Sequence, residues 1–108
     1  MSRLYEMSVS ISNYNEKKSE AIEEAINGQW EFDDFLKREH QEVNYLDASG
    51  QGYLSGGDSE EDFVEQISKA IWEANGKVCN ITVNCTYLEN IPFESYDMTD
   101  KYDEIMKE

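Results

Sequence analysis

Residues 4–13 alternate strictly, with Tyr5, Met7, Val9 and Ile11 on one side and Glu6, Ser8, Ser10 and Ser12 on the other. A period of two sends successive side chains to opposite faces, so this run predicts a half-buried strand. Asn13 or Asn15 can then cap a helix, because a short side-chain acceptor satisfies the free amides of a first turn. From Glu16 to Asn27 the period becomes helical. Ala21, Ile22, Ala25 and Ile26 form one stripe, and Gly28 is placed to supply a left-handed stop.

Between 29 and 41 the pattern is mixed. Trp30, Phe32, Phe35 and Leu36 stand among Glu31, Asp33 and Asp34, and the spacing favours a short helix over a strand. Val43 to Asp47 and Gly52 to Ser55 read as two short extended runs around Ala48-Ser49-Gly50, a hairpin closed by Gly56-Gly57. Asp58 or Ser59, with acids following, then marks a strong helix start. Phe63, Val64, Ile67, Ala70, Ile71 and Ala74 give a helix over 59–75 with one buried face, ended by Asn75-Gly76. Lys77 to Leu88 is the clearest strand. Cys79, Ile81, Val83, Cys85 and Tyr87 line one face, and Asn80, Thr82, Asn84 and Thr86 the other. Pro92 breaks the pattern, and Thr99 caps a short helix carrying Tyr102, Ile105 and Met106.

The order strand, helix, hairpin, helix, strand, tail helix places the chain in the α+β class. Helices and strands with one apolar face each are satisfied by packing two helices on one face of an antiparallel sheet. The order matches the βαββαβ, ferredoxin-like plan. On this reading 1–90 form the α+β domain, and 91–108 are a C-terminal tail whose short helix packs on the same domain.

Charge changes the picture most. The chain has 24 Asp and Glu against 9 Lys and Arg, a formal net charge of −15 over 108 residues. Such a surface repels nucleic acid and anionic lipid unless cations are concentrated somewhere. Here they are scattered, with Lys17-Lys18 and Lys37-Arg38 the only adjacent pairs. Disordered acidic tails are poor in aromatics, whereas this chain is 12% aromatic, so a folded domain is expected. The N-terminal residues hold no continuous apolar run, so neither a signal peptide nor a membrane span is predicted. A cytoplasmic setting is the expectation. Cys79 and Cys85, six residues apart in one extended run, would lie about 20 Å apart at ~3.3 Å per residue, too far to pair.

Candidate chemistry is sparse. Nucleophilic catalysis needs Ser, Cys or Lys beside a base, and the one histidine, His40, reads as a solvated side chain. Two core-facing cysteines and one histidine do not make a zinc site. The acids at 58–62 are explained by helix capping, and those at 97–104 lack the glycine and spacing of a calcium loop. Gly50, Gly52, Gly56 and Gly57 read as turn glycines, without the lysine of a phosphate loop. The outward strand positions are Ser, Thr and Asn, so no aromatic platform for RNA is expected. No catalytic, cofactor-binding or metal residue is assigned.

Trp72 breaks its local pattern. At 100° per residue it lies about 140° from the centre of the apolar stripe, beside Asp62, Glu65 and Lys69. It reads either as an interface anchor or as a side chain covered by the tail. The expectation is a small acidic protein, not an enzyme, that acts by binding another protein, basic or neutral. Its contact residues would be Trp72, Glu65, Asp62, Glu73 and Glu61. A nucleic-acid mimic that inhibits a basic nucleic-acid-binding protein is the alternative, and a small enzyme using His40 with a carboxylate the remote one.

Overall fold

A computed structural model of the chain describes residues 3–54, 59–88 and 94–106. The elements are β1 (Arg3–Ser12), α1 (Ser19–Asn27), β2 (Asp34–His40), β3 (Val43–Leu54), α2 (Glu60–Asn75), β4 (Asn80–Tyr87), β5 (Glu94–Asp97) and α3 (Tyr102–Met106). One five-stranded sheet runs in the order β2-β3-β1-β4-β5, and every neighbouring pair is antiparallel. The fold is mixed α+β, with a short C-terminal helix.

Register follows from the alternation of β1. Met7 sits opposite Gly50 on one side and Cys85 on the other, Val9 opposite Ala48 and Val83, and Ile11 opposite Leu46 and Ile81. A slip by one residue would turn each of these apolar groups to the other face. The same core takes Ile22 and Ile26 from α1 and Phe63, Val64, Ile67, Ile71 and Trp72 from α2, and the two helices touch.

Helix ends follow local chemistry. Asn15 accepts a hydrogen bond from the Lys17 amide at 3.1 Å, capping a 3-10 turn over Glu16–Lys18 that leads into α1. Ser59 caps α2 by accepting from the Asp62 amide at 3.1 Å, and Gly76, at φ 82°, closes it in the left-handed conformation. Gly28 does not do the same for α1. Its φ is −73°, inside the right-handed region. The amides of Gln29 and Trp30 both fold back onto the Ile26 carbonyl, so the helix ends in a tightened turn.

Residues 34–40 form a strand rather than a helix. β2 is an edge strand whose only partly buried side chain is Phe35, so its sequence carries no alternation to read. Trp30 and Phe32, just before it, are the residues that enter the core. The hairpin also lies one element earlier than the Ser-Gly pair suggested. It joins β2 to β3 through Gln41 and Glu42, both at positive φ (53° and 68°), the mirror-image turn that matches strand twist. Ala48-Ser49-Gly50 is the middle of one continuous strand. Gly50 and Gly52 are strand glycines that admit the preceding segment. A Cβ on Gly50 would lie 2.3 Å from the Glu31 carbonyl oxygen, and one on Gly52 would lie 3.0 Å from the Trp30 ring. The Trp30 indole donates to the Gly50 carbonyl at 3.0 Å. Gly56, Gly57, Asp58, Ile91, Pro92 and Phe93 lie outside the described residues.

Candidate protein-binding surface

The C-terminal segment folds back along α2. Beyond β5, which extends the sheet next to β4, the Met98 amide donates to the Ile81 carbonyl at 2.8 Å. A 3-10 turn at Thr99–Lys101 then leads into α3, which rests on α2. Tyr102 stands edge-on to Trp72 with ring centroids 5.1 Å apart. Trp72 is only 1% exposed, and its indole N–H donates to the Cys79 carbonyl at 2.9 Å. Of the two readings of Trp72, interface anchor or side chain covered by the tail, the second is the one realised: Tyr102 lies against it and the ring is held inside the fold. The buried face of α2 is wider than its aliphatic stripe, taking in Ser68, Trp72 and Asn75 as well.

The four acids grouped with Trp72 do remain at the surface. Glu61, Asp62, Glu65 and Glu73 are all exposed. Glu61 and Glu65 border a groove of about 310 Å³ between α2, β5 and α3, whose floor is Val64, Tyr96, Met98 and Ile105 and whose rim adds Glu104 and Lys101. Asp62 and Glu73 do not line it. Tyr96, Met98 and Ile105 are not among the expected contact residues, although Ile105 belongs to the short tail helix expected to pack on the domain.

One end of the groove is fixed by a carboxylate. Glu60 accepts from the Tyr5 hydroxyl at 2.5 Å through Oε2 and from the Tyr96 hydroxyl at 2.9 Å through Oε1, tying α2 to β1 and β5. Burial pushes the Tyr96 phenol above its ordinary value, and its bond to the Glu60 carboxylate pushes it further. Tyr96 therefore stays protonated and keeps donating. Ser68, fully buried on α2, has a hydroxyl oxygen without a hydrogen-bond partner.

The other face of the sheet is polar. Cross-strand rows read Asp34-Ser49-Ser8-Asn84-Ser95 and Leu36-Asp47-Ser10-Thr82-Asp97. Short hydroxyls, amides and carboxylates dominate it, with Tyr45 and Tyr53, both from β3, the aromatic side chains on the face among the described residues.

The residues weighed for chemistry sit apart from one another. His40 is exposed at the end of β2. Cys79 and Cys85 are free thiols in the core. Burial pushes Cys79 up to about 11, opposed weakly by Lys77. It pushes Cys85 up to about 12, reinforced by Glu60 and Glu94. A thiol so shifted is neutral near pH 7 and a poor nucleophile. Among the described residues no three His, Cys, Asp or Glu side chains converge as a metal site, and no helix is long and apolar enough to cross a membrane.

No protein-family model, curated protein or solved structure matches the chain.

Proposed function

We propose that the chain is a small, non-enzymatic binding protein that takes a basic protein partner on the α2–α3 groove. The observation that carries this reading is the pairing of an apolar floor with an acidic rim. Val64, Met98 and Ile105 can receive the aliphatic stem of a lysine or arginine, while Glu61, Glu65 and Glu104 meet its charged end. Lys101 on the same rim offsets one of these charges, which favours a partner that places its cation on the Glu61–Glu65 side. Asp62 and Glu73 add to long-range attraction from further along α2. In architecture we infer the ferredoxin-like plan, with the helices layered on one sheet face and β5 added beside β4.

Nucleic-acid mimicry gains less from the geometry. Glu61, Glu65 and Glu104 rim the groove, whereas Asp34, Asp47 and Asp97 belong to the polar sheet face, so these two sets of acids lie on different surfaces.

An arginine-rich peptide titrated into the full chain tests the proposal. Glu61→Lys with Glu65→Lys should weaken binding by about tenfold or more, equivalent to about 1.4 kcal/mol. Glu20→Lys with Glu24→Lys on α1 removes the same charge away from the groove and should change affinity far less. Equal losses in both variants would reduce the binding to general acidity and overturn the groove.

A further inference from the structure

We propose that the chain forms a two-fold homodimer by pairing β2 with β2 of a second copy, in the register that sets Leu36 opposite Leu36. β2 ends the sheet, and among the described residues no strand pairs with its outer side. Its two-residue hairpin closes on the hydrogen-bonded pair His40 and Val43, so alternation turns the amides and carbonyls of Phe35 and Lys37 to the open edge. An edge of this kind is a template for another strand unless its side chains repel one.

Here the side chains match. In an antiparallel pair centred on Leu36, Phe35 faces Lys37 of the second copy, and Asp34 faces Arg38. The two-fold axis repeats both contacts. Leu36 and the Asp34–Arg38 pairs would occupy non-hydrogen-bonded sites, where side chains approach most closely. Centring the pair on Lys37 instead would set two lysines face to face. Asp33 does not extend the ladder, because its amide is turned back onto the Ser49 carbonyl at 3.0 Å.

Two further observations point to a second copy of this chain. Leu36, 57% exposed, is among the large apolar side chains left in water, and it stands at the centre of the strand. β2 is also charge-balanced, with Asp34 and Glu39 against Lys37 and Arg38, in a chain of net charge −15. Self-association meets least repulsion there. Arg38 is already set in place, donating to Asp47 at 2.7 Å with its guanidinium over the Tyr45 ring. A guanidinium has five N–H donors, enough to serve a second carboxylate.

Sedimentation equilibrium of the full chain at ~0.15 M NaCl, from about 10 µM to about 1 mM, tests this directly. The expected result is a monomer–dimer equilibrium shifting toward the dimer at the top of that range. Asp34→Arg and Arg38→Asp, each alone, should remain monomeric. An equimolar mixture of the two variants should form a heterodimer, because every Arg then meets an Asp in this register and in no other antiparallel one. Leu36→Lys, a surface change that leaves the core intact, should also abolish the dimer. A monomeric wild type at about 1 mM, single variants that dimerise like wild type, or a mixture that stays monomeric would each overturn the proposal.

Discussion

Gly50 shows how much one missing side chain decides. The segment Trp30–Asp33 crosses β3 closely enough that a Cβ at 50 would collide with the backbone of Glu31 and Phe32, while one at 52 would press only on the Trp30 ring. A ring can shift by tenths of an ångström; a main chain held on both sides cannot. Gly50→Ala should therefore cost about 1–3 kcal/mol or more, a fall of roughly 4–8 °C in Tm per kcal/mol for a domain of this size. Gly52→Ala should cost clearly less. Thermal melts of the two variants check the ranking, and equal losses would show that the crossing segment is not rigid. The same residue limits what could be read beforehand. Ser49-Gly50 looks like a turn, because glycine in sequence signals permissive φ. Its use here is to leave room, which depends on a segment arriving from elsewhere in the fold. Trp72 is a parallel case. Its position off the aliphatic stripe was legible, but its burial depends on Tyr102 and the Cys79 carbonyl, neither of which helical periodicity can reveal.

At the scale of elements, legibility follows how many faces an element buries. β1 is the central strand of the sheet, and its alternation is complete; β4 likewise carries its period in full, and α2 does so in its aliphatic stripe, with Trp72 lying off it. β2 and β5 are edge strands and bury little beyond Phe35 and Tyr96, so β2 read as a helix and β5 as tail. The β2–β3 turn was hidden for a different reason. Gln41 and Glu42 occupy left-handed conformations that cost an L-residue roughly 1–2 kcal/mol each, and neither is a usual residue for them. Replacing them with Asn-Gly should stabilise the hairpin by about 1 kcal/mol. Chemical denaturation should show a higher midpoint with an unchanged slope. A lower midpoint would mean that the Gln41 or Glu42 side chain contributes contacts that outweigh the backbone strain. Of the groove residues, Glu61, Val64 and Glu65 all belong to α2, whereas Tyr96, Met98, Lys101, Glu104 and Ile105 join them only once the C-terminal segment has docked.

For the whole molecule, repulsion is the dominant electrostatic fact. The ion pairs among the described residues are Lys37–Glu23 at 2.8 Å and Arg38–Asp47 at 2.7 Å, both partly exposed and both anchored on β2. Exposed pairs contribute little and do not offset a net charge of −15. Raising sodium chloride shortens the Debye length from ~30 Å at 0.01 M to ~3 Å at 1 M, so Tm should rise with salt. A falling or flat dependence would place the balance with attractive pairs. The two surfaces proposed for binding lie at opposite ends of the sheet, β2 at one edge and β5 at the other. A dimer through β2 would thus leave both α2–α3 grooves open and make each dimer bivalent toward a basic partner.

The edge-on contact between Trp72 and Tyr102 has an optical consequence. The chain's two indoles report on different places: Trp30 on the crossing beneath Gly50, and Trp72 on the seat of the C-terminal helix. With Trp30 replaced by phenylalanine, the remaining emission would come from a buried ring that packs edge-on against Tyr102 of the tail. A partner entering the groove and disturbing α3 would then shift that emission, so binding could be timed by stopped flow on an unlabelled protein.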